Sequence, residues 1–485
     1  MTEARFIYIY SILRMIRDDT EIFRSREVRI IFLRQTMDTI SQKFAQFVTR
    51  LRFDDLSGDQ VQKIKTYFMD WLGSAYAGQT QRPVKIMLEV VGSLGGKPES
   101  TLIPDNTKTM SLLAALVNGA SSHMVEMDDL HRESVFHPAA PIMPAVFAAA
   151  EREKASGKDL ILAIAAGYEV GIRIAVAVGQ SHYRHWHTTS TCGTFGAAAG
   201  AAKILGLDEE QVVWALGSAG TQASGLWEFL VESAMSKQLH PGKSALNGLL
   251  SALLAQKGFT GARRILEGEK GFFRATSGDF DQEKSVAGLG KNFLFEHNSL
   301  KYYASCGHTH SAIESILQAT QANPVDAADI ERVRVSVYQA ALDLLENVEP
   351  NTPYVAKFSL PFCVATALKY GHVNTGDFTE KRLQEPDLLQ LMERIQIRSD
   401  PQLSSQYPVK WPARVEIVTR DGKNLKGASD YPKGDPENPL EERDVIEKFR
   451  DLTKGLLSDG SAEAIVERVM GLEDADDLSE LMDGV

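Results

Sequence analysis

Four short stretches of this chain concentrate the residues that can move protons or hold anions. The first, EMDDLHRESVFHP (126–138), carries Glu126, Asp128, Asp129, His131 and His137 directly after the apolar run SLLAALVNGA (111–120). The second, SHYRHWHTTSTCGTFG (181–196), brings His182, His185 and His187. The third, SAMSKQLHPGKSALNG (233–248), brings Lys237, His240 and Lys243, and the fourth, SLKYYASCGHTHSAIES (299–315), brings Lys301, Tyr303, Cys306, His308 and His310. Ten of the eleven histidines fall between residues 123 and 310. Histidine titrates nearest neutral pH and suits proton transfer. Two lysines can neutralise the charges of a di- or tricarboxylate. A fixed ammonium is worth most where negative charge develops, as when a proton alpha to a carboxylate is removed. The set fits cofactor-free acid/base catalysis on a small anion. It also fits a metal-dependent hydrolase using Asp128, Asp129, His185 and His187, or a binding site that turns nothing over. No HExxH or CxxC spacing marks a metal centre. The glycines of 193–200 lack both GxGxxG and the preceding strand of a dinucleotide site.

The elements that must position these clusters divide the chain in two. Its 485 residues exceed what one core usually holds. From about 37 to 297 apolar residues recur at three- and four-residue spacings, as in DQVQKIKTYFMDWLGSAYAG (59–78), which predicts helices. The small residues of GTFGAAAGAAKILGL (193–207) let helices approach closely. After 298 the pattern changes. IERVRVSVYQ (330–339) alternates and is β-branched, and WPARVEIVTRDGKNLKG (411–427) carries Asp421-Gly422 between two alternating runs, a hairpin signal. SLPFCVATALKYG (359–371) is helical in pattern. The expected architecture is mainly α: a helical domain over 37–297 and 441–485, an α+β lid over 298–440, and C-terminal helices packing back on the helical domain.

A net charge of −12 argues against a nucleic-acid surface. Cys192, Cys306 and Cys363 lie too far apart in sequence for a disulfide framework or thiolate cluster, which fits a reducing cytoplasm. The most apolar long segment, DLILAIAAGYEVGIRIAVAVG (159–179), is interrupted by Glu169 and Arg173 and reads as a buried helix, not a membrane span. Residues 1–36 are rich in arginine, carry five acids, and read as a dispensable extension lacking the marks of a secretory signal.

Together the stretches HMVEMDDLHRESVFHPAAPIMPAVFAAAE (123–151), HWHTTSTCGTFGAAAGAAKILGL (185–207), AMSKQLHPGKSALNGLLSALLAQKGFTG (234–261), LKYYASCGHTHSAIES (300–315) and AKFSLPFCVATAL (356–368) resemble the signatures of the MmgE/PrpD family, in the family's order. That group includes 2-methylcitrate dehydratases, cis-aconitate decarboxylases and iminodisuccinate epimerases. The resemblance implies an active site between helical domain and lid, a homodimer, and neither metal nor organic cofactor. By it, His137 is the proton donor/acceptor, His187 lines the pocket, and Lys237 and Lys301 hold substrate carboxylates. Glu126, Asp128, Asp129, His131, His240, Tyr303 and His310 are the candidate substrate-binding residues. Two positions depart from the family: Glu126 stands where Asp is common, and Leu130 where Thr or a similar residue follows the Asp pair. The expected reaction is dehydration of a 2-methylcitrate- or citrate-like hydroxy-tricarboxylate, with iminodisuccinate-type epimerisation and cis-aconitate decarboxylation as alternatives.

Overall fold

Several helices of this chain begin where a short polar side chain can take the first free amide. Ser57, Ser156 and Asp208 each accept from the backbone N–H three residues on, and Gln60, Asp159 and Gln211 return a bond to the cap. The computed structural model describes residues 38–484 apart from 104, 233, 346 and 347, so the extension read over 1–36 lies outside the described residues. The capped helices Gly58–Gly78, Gly157–Val178 and Glu209–Gly220 pack with Ser111–Ser122, Ala139–Glu153, Thr188–Ile204 and Ser236–Gln256 into one helical body.

The glycine-rich run works as its composition suggests. A Cβ on Gly196 would lie 2.7 Å from Ile142 Cδ1 and 2.8 Å from the Gly167 carbonyl oxygen, so three helices meet at backbone distance there. Gly196→Val is therefore expected to lower the unfolding free energy by about 2–3 kcal/mol through overpacking. A urea titration checks this, the midpoint falling while the slope stays fixed.

Gly157–Val178 is the one described helix long and apolar enough to cross a membrane, and 94% of its most apolar stretch is buried inside the fold. Glu169 and Arg173, which interrupt it in sequence, pair at 2.8 Å one turn apart. Burial pushes Glu169 up to about 7. Arg173 also donates to the Ala287 and Asn292 carbonyls at 2.6 Å each, so the two charges brace a loop against the core helix.

Strands are few and small. β1 (Ser100–Leu102) and β2 (Thr107–Thr109) form one antiparallel pair, and β3 (Leu130–His131) pairs with β4 (Asn298–Ser299) across the body–lid junction. The lid sheet has the order β6-β5-β7-β8, with β5 at Ile330–Val337, β6 at Ile395–Ser399, β7 at Ala413–Thr419 and β8 at Asn424–Ser429. β5 and the β7–β8 hairpin stand where the alternating pattern put them. β6 runs parallel to β5, and its five residues are too short a run to signal themselves in sequence. Helices Gly307–Ala322 and Leu360–Tyr370 pack against this sheet. The fold is mainly α with a smaller α+β part.

Two apolar cores result, and the 126–138 stretch joins them. Val125, Met127, Leu130 and Val135 lie in the lid core with Val333, Val335 and Ile417, although the chain around them belongs to the helical body. Alternate residues, Glu126 and Asp128, are left for the polar space between. The C-terminal helices Glu442–Thr453 and Asp459–Met470 return to pack on Gly58–Gly78.

Candidate active site

Helix Ser111–Ser122 crosses Ser236–Gln256 where a Cβ on Gly119 would stand 2.9 Å from Gly242 Cα. That contact sets Lys237, at the start of the second helix, against the loop leaving the first. In this loop Glu126 has φ +57°, a conformation rare outside glycine and costing about 1–3 kcal/mol. Its carboxylate holds it there. Oε1 accepts a short charge-assisted bond from Lys237 Nζ and a 3.1 Å bond from the Tyr354 hydroxyl, while Oε2 accepts from Lys301 Nζ at 2.9 Å. Burial would raise Glu126, but the two ammonium groups hold it well below the usual carboxylate range. Burial would likewise lower Lys301, and Glu126 raises it instead. Lys237 Nζ also stands 4.7 Å from the centre of the Phe358 ring, a cation–π contact that closes the lysine end.

The histidines form a second layer. His137 donates Nδ1–H to the Asp129 carbonyl at 2.6 Å, which leaves the Nε2 lone pair free. Asp128 Oδ2 lies 3.4 Å from His137 Nδ1 and 2.7 Å from His123 Nδ1. Burial pushes His137 down to about 3, partly offset by Asp128, so the ring is neutral in the free protein. Asp128, which burial alone would raise, is held far below the carboxylate range by His123 and His137. His123 Nε2 and Asp128 Oδ1 are buried with no partner among the described residues. His187 and His240 meet Nδ1 to Nδ1 at 3.1 Å, so one donates and the other accepts, and the two rings hold opposite tautomers.

Glu126, His137, His187, Lys237 and Lys301 line one inner cavity of about 30 Å³, room for roughly a single water. Asp128 and His240 stand behind its histidines. Asp129 is turned away, accepting from Ala139 N at 2.9 Å, Tyr168 OH at 2.7 Å and Asn298 Nδ2 at 2.6 Å, while burial pushes it up to about 8. It anchors the loop that carries His137. His131 bonds Ser134 Oγ at 2.8 Å, outside the cavity. Tyr303 donates to Glu314 at 2.5 Å, and His310 Nε2 donates to the Ser305 carbonyl at 3.2 Å, so both stand behind the Lys301 segment. The hydrolase ligand set does not assemble, since Asp129 is committed to three donors and His185 is exposed. His123, Asp128 and His137 do offer donor atoms within 4.8 Å of one another.

Sequence reading missed Tyr354, His123 and two lysines. Tyr354 lies just outside the AKFSLPF stretch, with no pattern of its own. Lys448 Nζ donates to the Met127 and Lys301 carbonyls at 2.7 Å each and to Asp70 Oδ1 at 2.5 Å. Lys357 Nζ donates to the Val125 carbonyl at 2.8 Å and the Ala304 carbonyl at 2.9 Å, and burial pushes it down to about 7. The two lysines thus tie the backbone on both sides of Glu126 to the segment that carries Lys301. Lys448→Met leaves Asp70 buried without its ammonium and is expected to lower the unfolding free energy by about 3 kcal/mol. Adding Asp70→Asn should recover part of that loss in the same denaturation assay.

Comparison with known proteins covers nearly the whole chain. The MmgE/PrpD N-terminal domain model matches residues 42–285, and the MmgE/PrpD C-terminal domain model matches 303–473. A cis-aconitate decarboxylase of Aspergillus terreus is 27% identical over 468 residues, covering 92% of this chain and 95% of its own length. The cis-aconitate decarboxylase of Homo sapiens is 25% identical over 476 residues, covering 92% and 94%. The mitochondrial 2-methylcitrate dehydratase of Yarrowia lipolytica is 21% identical over 470 residues, covering 89% and 87%. With both domain models matched in order across the helical body and the lid, the chain belongs to the MmgE/PrpD family.

Proposed function

We propose that the protein is a lyase that decarboxylates cis-aconitate or a close tricarboxylate relative. The observation that carries the anion-lyase reading is the convergence of Lys237, Lys301 and His137 on one buried cavity. The preference for decarboxylation over dehydration is supported by the pattern of similarity, 24–27% to cis-aconitate decarboxylases over 92% of the chain, against 21% for a full-length dehydratase. cis-Aconitate carries a carboxylate on a methylene next to its double bond. Breaking that carbon–carbon bond releases CO2 and leaves the electron pair spread over three carbons and the carboxylate at the far end. The ammonium groups stabilise this developing charge more than the starting anion, which is what accelerates the step. A proton must then reach the far allylic carbon. His137 delivers it as imidazolium, because a bound polyanion raises a histidine that is neutral in the free protein, and solvent restores the proton after product leaves. A tricarboxylate far exceeds a cavity of about 30 Å³, so lid and body must part to admit it.

One observation favours a second reading. A neutral His137 with a free Nε2 is already a base, the form needed to take a proton from a hydroxy-tricarboxylate such as 2-methylcitrate as water leaves. Incubating the protein with each compound and following products by 1H NMR, with CO2 captured, separates the two. Release of CO2 from cis-aconitate is the expected result. Dehydration of 2-methylcitrate without CO2 from cis-aconitate would reverse the assignment, and activity lost to a chelator would overturn the metal-free reading. A homodimer belongs to the same proposal. It is supported by Ile86, Val90 and Leu94, exposed at four-residue spacing on one face of helix Arg82–Leu94, and sedimentation at twice the chain mass is expected.

A further inference from the structure

His308 has no task in the reaction proposed above, although it lines the inner cavity together with Lys301 and His137. It stands in the first turn of helix Gly307–Ala322, and two further lid residues fix its ring. Trp411, just before β7, stacks on it face to face, with ring centres 4.1 Å apart and planes within 5°. Tyr338, directly after β5, brings its hydroxyl to Nδ1 at 2.5 Å. Gly307 lets the helix start lie close to Trp411, where a Cβ would stand 3.1 Å from the indole. Helix, Tyr338 and Trp411 all belong to the lid. The setting of the ring therefore does not depend on the contact between lid and body.

The Tyr338 hydroxyl decides which nitrogen carries the proton. Tyr338 is 1% exposed, and its hydroxyl has no other partner among the described residues. If Nδ1–H donated to it, the phenolic O–H would be buried with no acceptor. Donation from the hydroxyl to Nδ1 satisfies both groups. Burial also holds the phenol protonated, far above its ordinary value. The ring proton is then on Nε2, which has no partner among the described residues. Burial, and after it the Lys301 ammonium, push His308 down to about 3, so the ring is a neutral donor. Each lysine can meet one carboxylate, and Glu126 already takes part of both charges. A tricarboxylate has a third carboxylate to place. His137 offers it a lone pair at Nε2, and Cys306 only a weak thiol donor.

We propose that His308 is a substrate-binding residue whose Nε2–H donates to the carboxylate that Lys237 and Lys301 leave free. Position 308 then sets the preference for tricarboxylates over dicarboxylates, and Tyr338 is the positioning residue that keeps the donor tautomer. The inference rests on the anion-site reading above and adds a third anchor to it.

Calorimetric titration reads this anchor apart from turnover. The probes are tricarballylate, a saturated tricarboxylate that cannot react, and methylsuccinate, the same chain without one terminal carboxylate. His308→Phe keeps a ring on Trp411 and removes the donor. It should weaken tricarballylate binding roughly ten- to hundredfold and leave methylsuccinate within about twofold. His308→Gln, whose amide can reach the place of Nε2–H, should recover most of the loss. Combined with Tyr338→Phe, His308→Phe leaves no hydroxyl unpaired, and this double variant gives the same comparison if the single one does not fold. In protein carrying 15N-labelled histidine, the His308 signal, identified by its absence from His308→Gln, should show the proton on Nε2. Equal losses for both ligands, no loss for either, no recovery in His308→Gln, or a proton on Nδ1 overturns the role of His308 while the anion site stands. Failure of tricarballylate to bind the wild type overturns both.

Discussion

Lys301→Met is expected to lower kcat/KM on the tricarboxylate by about 10²–10³-fold while costing only about 1 kcal/mol of stability. The asymmetry follows from the charges around Glu126. Its carboxylate faces two ammonium groups, so removing Lys301 still leaves a balanced pair with Lys237 and the Tyr354 hydroxyl in place. On the proposed reaction, the variant loses an ammonium that catalysis uses and the fold does not need. Glu126→Gln inverts the result. It leaves two buried ammonium groups facing a neutral amide, and an uncompensated buried charge costs about 3–5 kcal/mol. A tricarboxylate ligand replaces the missing carboxylate, so tricarballylate should raise the melting temperature of Glu126→Gln more than that of the wild type. Comparable stability losses in the two variants, or full activity in Lys301→Met, would show that these lysines serve the fold rather than the reaction. Glu126→Asp, the residue common in the family, shortens the arm that spans both lysines, and its ligand shift should fall between the two.

The division into helical body and lid was legible because each is written in its own period, three to four residues before 298 and two within β5, β7 and β8. β6 was not legible, since a parallel partner of five residues acquires its meaning from β5 beside it. Within the site, clusters rich in His and Lys flagged Glu126, His137, His187, Lys237 and Lys301, which meet in space. Chemistry by residue type could not say which way a side chain turns. Asp128 and Asp129 are neighbours in sequence, yet one faces the histidines and the other binds Tyr168, Asn298 and the Ala139 amide. His131, Tyr303 and His310 sit within two flagged stretches and face away for the same reason. Lys448 gave no signal, and Lys357 was given no role although it lies within AKFSLPFCVATAL, because a lysine that bonds carbonyls from distant segments has no local pattern; only the folded path brings Val125, Met127, Lys301 and Ala304 within reach.

His137→Asn isolates the proton-transfer role from the structural one and is expected to lower kcat by about 10²–10⁴-fold. The asparagine amide occupies the place of Nδ1–H and can still donate to the Asp129 carbonyl, whose 2.6 Å bond holds the wild-type ring, so what is lost is Nε2. A structural role alone would predict near-normal activity in this variant. The pH behaviour gives a second readout. Burial holds His137 at about 3 in the folded protein, against about 6.5 when unfolded, so kcat/KM should show no His137 inflection between pH 5 and 8. Decarboxylation through the imidazolium should instead make it decline steadily as pH rises across that range, whereas dehydration by the neutral ring would leave it flat. Because the folded value is depressed, the stability linked to this group is complete above 6.5 and is lost as pH falls toward 3. His131, His308 and His310, also near 3, and His182 and His240, near 4, act in the same sense, since burial lowers each. Below about pH 6.5 these histidines favour unfolding, as the unfolded chain takes up protons that the folded chain refuses, while Asp129 and Glu169, raised to about 8 and about 7, oppose them until the unfolded carboxylates protonate in turn. His137→Asn removes one of those protons. Its unfolding free energy should fall less steeply across that range than the wild type's, and an unchanged slope would mean that His137 is already charged in the folded protein.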